Sequence, residues 1–315
     1  VTAEGARPHT KFDTLLRLAS LAQERAAGLD PTLRGLLWST AAGFTFVMLN
    51  TLLRALSLRL DVFQVQFLRY LFGLVVMLPL VARSGLAAYR PQHIGGQFLR
   101  GAVHTVGLCL WFLAIPHIAL ADTTAIGFTG PIFIMIGAAW LLGERMRWER
   151  WVASLIGLAG VLIVVAPKLA GTGGPYALIM LASSPVFAAS FLITKGLTRY
   201  ERASVIVVWQ AISVAVFSLP LALLSWQAPT FGEWLTFLLC GLLGSLGHYF
   251  LTRSFTIADI SATQSVKFLD LVWASLLGWL VFADTPSRST LIGGLVISAS
   301  TLWIARREAR RSTTS

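Results

Sequence analysis

From residue 35 onward the chain alternates apolar runs with short polar breaks. Most runs approach the ~20 residues an α-helix needs to cross a bilayer. They predict ten spans, near residues 35–56, 62–82, 96–115, 122–142, 149–166, 176–196, 203–225, 233–253, 260–283 and 288–305. Glycine and proline mark many of the joints, including Pro91, Pro116, Gly171 to Pro175 and Pro286. Residues 1–34 form a polar tail in which Phe12, Leu15, Leu16 and Ala19 recur at helical spacing. Either a short helix on the cytoplasmic leaflet or a partly ordered tail fits that pattern. Residues 1–33 hold no continuous apolar core, so no cleavable leader is expected.

The same wording occurs twice along the chain. At a shift of 140, the stretch Ala121–Trp151 meets a second one around Ile260–Asp284, with Thr123 on Thr263, Phe128 on Phe268 and Glu144 on Asp284. At a shift of 141, Arg54 meets Lys195, and Leu78-Pro79-Leu80 meets Leu219-Pro220-Leu221. The repeat unit therefore holds five spans. An odd number makes the second unit enter from the opposite side, an inverted-topology plan recurrent in secondary transporters. The expected fold is an all-α membrane protein of ten transmembrane helices, two inverted five-helix repeats around a central cavity. Residues 35–166 form the first repeat, 167–175 an external linker, 176–305 the second repeat and 306–315 a basic cytoplasmic tail.

Composition agrees: 56% of residues are hydrophobic and only 12% charged, against about 25% charged in soluble domains. The net charge of +11 would suggest nucleic acid in a soluble protein. Here its position excludes that partner. Most basic residues fall in alternate polar segments, whereas the intervening loops hold only Arg59, Lys168 and Arg288. The positive-inside rule then places both termini in the cytoplasm. Cys109 and Cys240 lie inside apolar stretches and are expected to be packing residues. No HExxH, GxSxG or paired intramembrane aspartates occur, so an enzyme is not expected. No cofactor or metal site is expected either.

Ionised side chains inside a bilayer helix cost about 2.5–3.5 kcal/mol on insertion scales and mark sites by default. Asp270 and Lys267 stand three residues apart in the ninth span, on one face with Thr263 and Ala274 and with Gln264 beside them. They fit a cavity stripe that binds a substrate ammonium or carries a coupling proton. A structural ion pair of Asp270 with Lys267 or Arg69 fits as well. In the third span Arg100, His104, Gly107 and Trp111 share a face. Gln66, Arg69 and Tyr70 share one in the second span. Arg69 either binds a substrate carboxylate or pairs with Asp270, and its repeat partner Gln210 is also polar. Asn50 in the first span and Phe128 and Pro131 in the fourth are further lining candidates, with Pro131 bending its helix. His248 is expected to be structural, Glu144 to rest in a solvated turn with Arg145 and Arg147, and Gly157 with Gly160, like Gly241, Gly244 and Gly247 in the eighth span, to pack helices or a dimer.

The run Leu113-Ala114, Ala121-Asp122-Thr123-Thr124-Ala125-Ile126, Phe128-Thr129-Gly130-Pro131 and Leu142-Gly143-Glu144-Arg145, continuing to Gly157-Leu158-Ala159-Gly160-Val161, resembles the EamA-type branch of the drug/metabolite transporter superfamily. The resemblance covers residues 35–305. It implies two five-helix bundles around a cavity lined chiefly by the first, third and fourth spans of each half, in a bacterial inner membrane. It also implies a small-molecule substrate, carried by a monomer or homodimer, with protons as a possible coupling ion. The wording of the fourth span is most similar to members that move S-adenosylmethionine or riboflavin. An amino-acid-like solute, export of organic cations, and a non-transporting receptor or assembly subunit are the other readings. The second copy departs from the pattern, with Lys267 and Asp270 where the first has Gly127 and Gly130.

Overall fold

The structure, a computed structural model, describes residues 29–117, 123, 126, 127, 129–144, 147–169, 174–264, 266, 267, 269–282 and 288–312. The amphipathic segment Phe12–Ala19, Phe128 and Asp284 lie outside the described residues.

Local chemistry starts the first helices. The Asp30 carboxylate accepts from the Thr32 and Leu33 N–H groups, at 2.9 and 3.4 Å, and opens α1 (Pro31–Ser57) with Pro31 in its first turn. Asp61 does the same for α2 (Val62–Ser84), accepting from Phe63 and Gln64. Then come α3 (Ile94–Ala114), α4 (Gly130–Leu141), α5 (Trp148–Leu169), α6 (Gly174–Leu197) and α7 (Ala203–Ala222). Thr230 and Glu233 form a capping box at the start of α8 (Phe231–Ile257). The chain ends with α9 (Ile260–Gln264), α10 (Leu269–Phe282) and α11 (Arg288–Ser312). Among the described residues, six helices are long and apolar enough to cross a membrane: α1, α2, α3 prolonged to His117, α6 from Leu178, α7 and α8. The protein is a multi-pass all-α membrane bundle.

The continuous helices expected at 122–142 and 260–283 are instead interrupted. Thr129 lies in a turn just before α4, and Val266 and Lys267 lie in a turn between α9 and α10. The bonds there run to the third residue back, as from Lys267 N–H to the Gln264 carbonyl and from Asp270 N–H to the Lys267 carbonyl. Pro131 falls in the first helical turn of α4, where a missing donor costs nothing. It starts a helix rather than bending one. α4 alone rises only about 18 Å, short of the ~30 Å hydrocarbon layer.

Helix pairing follows an exchange of halves. α1 packs on α8 and α6 on α3; α1 touches α10 and α6 touches α4; α2 touches α8 and α7 touches α3. Two pairs match like with like, α2 with α7 and α5 with α11. A buried apolar cluster including Leu49, Leu68, Phe112, Val214 and Phe237 joins α1, α2, α3, α7 and α8. A second, with Ala42, Ile134, Ala138, Leu192, Phe255 and Ile260, fills the bundle toward the ends of α4, α6 and α8.

Polar contacts close that same end. Rather than resting in its own turn, Glu144 reaches the second half. Its carboxylate accepts from the Ile260 N–H at 3.0 Å, the Ser261 N–H at 3.2 Å and the Ser261 hydroxyl at 2.7 Å. The first turn of α9 has donors with no partner inside the helix, and a carboxylate is the strongest acceptor within reach. Arg150 pairs with Asp259 at 3.1 Å, and Lys195 Nζ donates to the Phe255 and Ala258 carbonyls at the end of α8. Because Ile260 and Ser261 are fully buried, Glu144→Ala is expected to cost about 1–3 kcal/mol. Denaturant unfolding of the purified protein reads this loss, and Glu144→Gln, which keeps one acceptor, should lose less.

Candidate functional site

A cavity of about 230 Å³ lies between the halves, just below the roughly 300–1,000 Å³ of small-molecule sites. Its lining comes from the later part of α1 and α3, the earlier part of α2 and α6, and the two interruptions at Thr129 and Lys267. It therefore lies away from the end that Glu144 closes. Irregular backbone at this depth is tolerated where it borders a cavity. The interruptions thus set backbone and side chains of both halves against one space.

Aromatic faces from Phe46, Trp111, Phe187 and Phe191 make much of the wall. Lys267 Nζ lies 2.9 Å from Asp270 Oδ2. A β-carbon at Gly43 would collide with the Asp270 carboxylate, so glycine on α1 lets the acid sit in the helix contact. Arg69 does not join this pair. Its guanidinium stacks on the Tyr70 ring, 3.8 Å from the centroid, and lies against Gly244, where a β-carbon would crowd it. Such stacking suits the planar, weakly hydrated guanidinium.

Behind the wall runs a buried polar chain. Arg100, 1% exposed, donates to Thr194 Oγ1, to the Ile206 carbonyl at 3.1 Å and to Gln210 Oε1. Gln210 Nε2 meets His248 Nε2 at 3.3 Å. His104 contacts Ser190 Oγ at 3.1 Å and the Tyr70 hydroxyl at 3.0 Å. His248 borders the cavity, and its buried Nδ1 has no hydrogen-bond partner among the described residues.

Asn50, Arg69, Tyr70, His104, Trp111, Gln264, Lys267 and Asp270 thus border one cavity. Gln210 stands behind it, beside a second small cavity shared with Arg69, Gly244 and His248. Arg100, expected to share the His104 face, turns away to α6 and α7. Sequence reasoning overlooked Phe46, Phe187 and Phe191, whose type is indistinguishable from lipid-facing phenylalanine in an apolar run. It also undervalued His248, although a histidine within an apolar run is itself a signal.

The model of the EamA-like transporter family matches residues 33–166 and again residues 174–306. The chain belongs to the EamA-like transporter family. It is thus a secondary transporter and not an enzyme. A riboflavin transporter of Rhizobium johnstonii is 34% identical over 280 residues, covering 88% of this chain and 92% of that protein. An S-adenosylmethionine uptake transporter of Rickettsia prowazekii is 28% identical over 282 residues, covering 90% and 96%. A crystal structure of another protein at 21% identity superposes with a TM-score of 0.70 over 87% of this chain and 98% of the other. At that identity the likeness speaks for the fold alone. Within this EamA-like transporter, both family matches contain one of the two interruptions that meet at the cavity.

Proposed function

We propose that this EamA-like transporter moves a small polar or zwitterionic metabolite, of riboflavin, S-adenosylmethionine or amino-acid type, across the bacterial inner membrane. Ten transmembrane helices in two inverted five-helix units would rock around the cavity by alternating access. The mirrored helix pairing, α1 with α8 against α6 with α3, supports the repeat. Basic residues in alternate segments support cytoplasmic termini. With that orientation the Glu144 contacts close the cytoplasmic end, and the cavity belongs to an outward-facing state.

The observation that carries the reading is the meeting of an aromatic wall with Asn50, Arg69, His104, Gln264, Lys267 and Asp270 in one cavity. Flat faces hold a ring or an apolar body, and the polar set orients its substituents. The named relatives share this direction of inference, since one is a riboflavin and the other an S-adenosylmethionine transporter. Export of organic cations fits less well. Lys267 already neutralises Asp270, and Arg69 adds positive charge. The energy source is a proton or substrate gradient, because the sequence holds no nucleotide motif.

Reconstitution tests this. Purified protein in sealed proteoliposomes is expected to exchange one labelled class among riboflavin, S-adenosylmethionine and amino acids, saturably. Trp111→Ala is expected to weaken that exchange about tenfold or more, the scale of one aromatic anchor of ~1.5 kcal/mol or above. Binding of a solute without any movement into the liposomes would instead favour a receptor.

A further inference from the structure

Among the described residues, the positive charge around the cavity exceeds what carboxylates neutralise. Lys267 is matched by Asp270. Among the described residues, neither Arg69 nor Arg100 has a carboxylate partner. Arg100 is satisfied by neutral acceptors away from the cavity. Arg69, 5% exposed, borders the cavity between the Tyr70 ring and the bare backbone at Gly244. Away from water a guanidinium calls for a hydrogen-bonded anion.

His248 stands one helical turn beyond Gly244 on α8, and the same small second cavity borders Arg69, Gly244 and His248. Its tautomer can be assigned by following the chain of donors. Arg100 has donors only, so Gln210 must turn its oxygen toward Arg100 and its amide N–H toward His248. His248 Nε2 then accepts. In the neutral ring the proton resides on Nδ1. That Nδ1–H is the atom left without an acceptor. Phe46, Tyr70 and His104 rings surround His248, with centroids at 4.9, 6.4 and 5.5 Å. None of these contacts satisfies the N–H.

We propose that the cavity floor between α2 and α8 is an anion subsite, in which Arg69 binds a carboxylate or phosphate of the transported molecule and His248 Nδ1–H donates to it. The assignment rests on the cavity being the substrate site. It deepens that reading by requiring an anionic oxygen group on the substrate. Arg100 and Gln210 are positioning residues, since they stand behind the cavity wall and Gln210 holds His248 Nε2.

Two matched probe pairs test the subsite on the purified full chain: riboflavin 5′-phosphate against riboflavin, and indole-3-acetate against indole-3-acetamide. Calorimetric titration is expected to show the anionic member of at least one pair binding tenfold or more tightly than its neutral partner. The pair that responds separates phosphate from carboxylate. Arg69→Gln should remove the difference and Arg69→Lys should keep part of it. His248→Phe should reduce it, whereas His248→Asn, whose amide places a donor near Nδ1, should keep it. Histidine-selective ¹⁵N spectra should show His248 protonated at Nδ1 in the wild type and lose that single tautomer in Gln210→Leu. Equal binding within both pairs, or a preference that survives Arg69→Gln, overturns the subsite. So does transport of only solutes that lack an anionic group. Those outcomes leave the transport reading standing, whereas no binding and no movement of any solute overturns both.

Discussion

Asp270→Ala is expected to destabilise the purified protein by about 3–5 kcal/mol and to abolish transport. The loss of stability follows from what remains. Lys267 would keep its position against the cavity, 17% exposed, with its 2.9 Å partner gone. An uncompensated ammonium away from water costs far more than the pair was worth. The value should fall in the lower part of that range, because both side chains retain some exposure to the cavity. The double variant Lys267→Met with Asp270→Leu removes both charges and should recover most of the melting temperature. If the pair also serves the substrate or a coupling proton, transport stays absent in the recovered double variant. A double variant that regains both stability and transport would make the pair purely structural. Gly43→Ala offers an independent approach, since its β-carbon would displace the carboxylate while leaving both charges in place.

Gly241→Ala should prevent α2 and α8 from packing as they do, at a cost of about 3 kcal/mol, the upper part of the overpacking range. The new methyl would lie 2.5–2.7 Å from the carbonyl carbon and oxygen of Phe72 and the nitrogen of Gly73. Those are backbone atoms of a helix, so no rotamer change relieves the clash, and the helices must separate. Gly294→Ala is the control. Nothing lies within 4 Å of a β-carbon there, and the position is helical. It should gain about 0.5–1 kcal/mol by lowering the entropy of the unfolded chain. Thermal melts of the two variants should therefore move in opposite directions. Equal shifts would show that α2 and α8 tolerate separation.

Three of the four glycines of α8 show how far a local signal goes. Gly241, Gly244 and Gly247 read from the sequence as one packing face. In the structure each serves a different neighbour: the α2 backbone, the Arg69 guanidinium and the Phe46 ring. Glycine declares that something comes close, and only the partner helix decides what. The charged residues behave alike. Lys267 and Asp270, three apart, could be paired from the sequence because the chain itself holds them together. Arg69 had two possible partners, and the choice depended on which way α2 faces α8.

The sequence by itself determined the class of protein, the family, the duplicated pattern that the family model matches twice and most of the polar side chains that border the cavity. These are properties of hydropathy, periodicity and residue order, which are local along the chain and survive without knowledge of packing. Only the tertiary structure decided that the spans around Thr129 and Lys267 are interrupted, that Glu144 holds the start of α9, that Arg100 turns away from the cavity and that His248 Nδ1 has no hydrogen-bond partner among the described residues. Each of these depends on distances between helices far apart in sequence. A backbone donor or a buried nitrogen acquires its partner only when those helices are packed, because hydrogen bonds act over about 3 Å and the apolar pattern carries no such resolution.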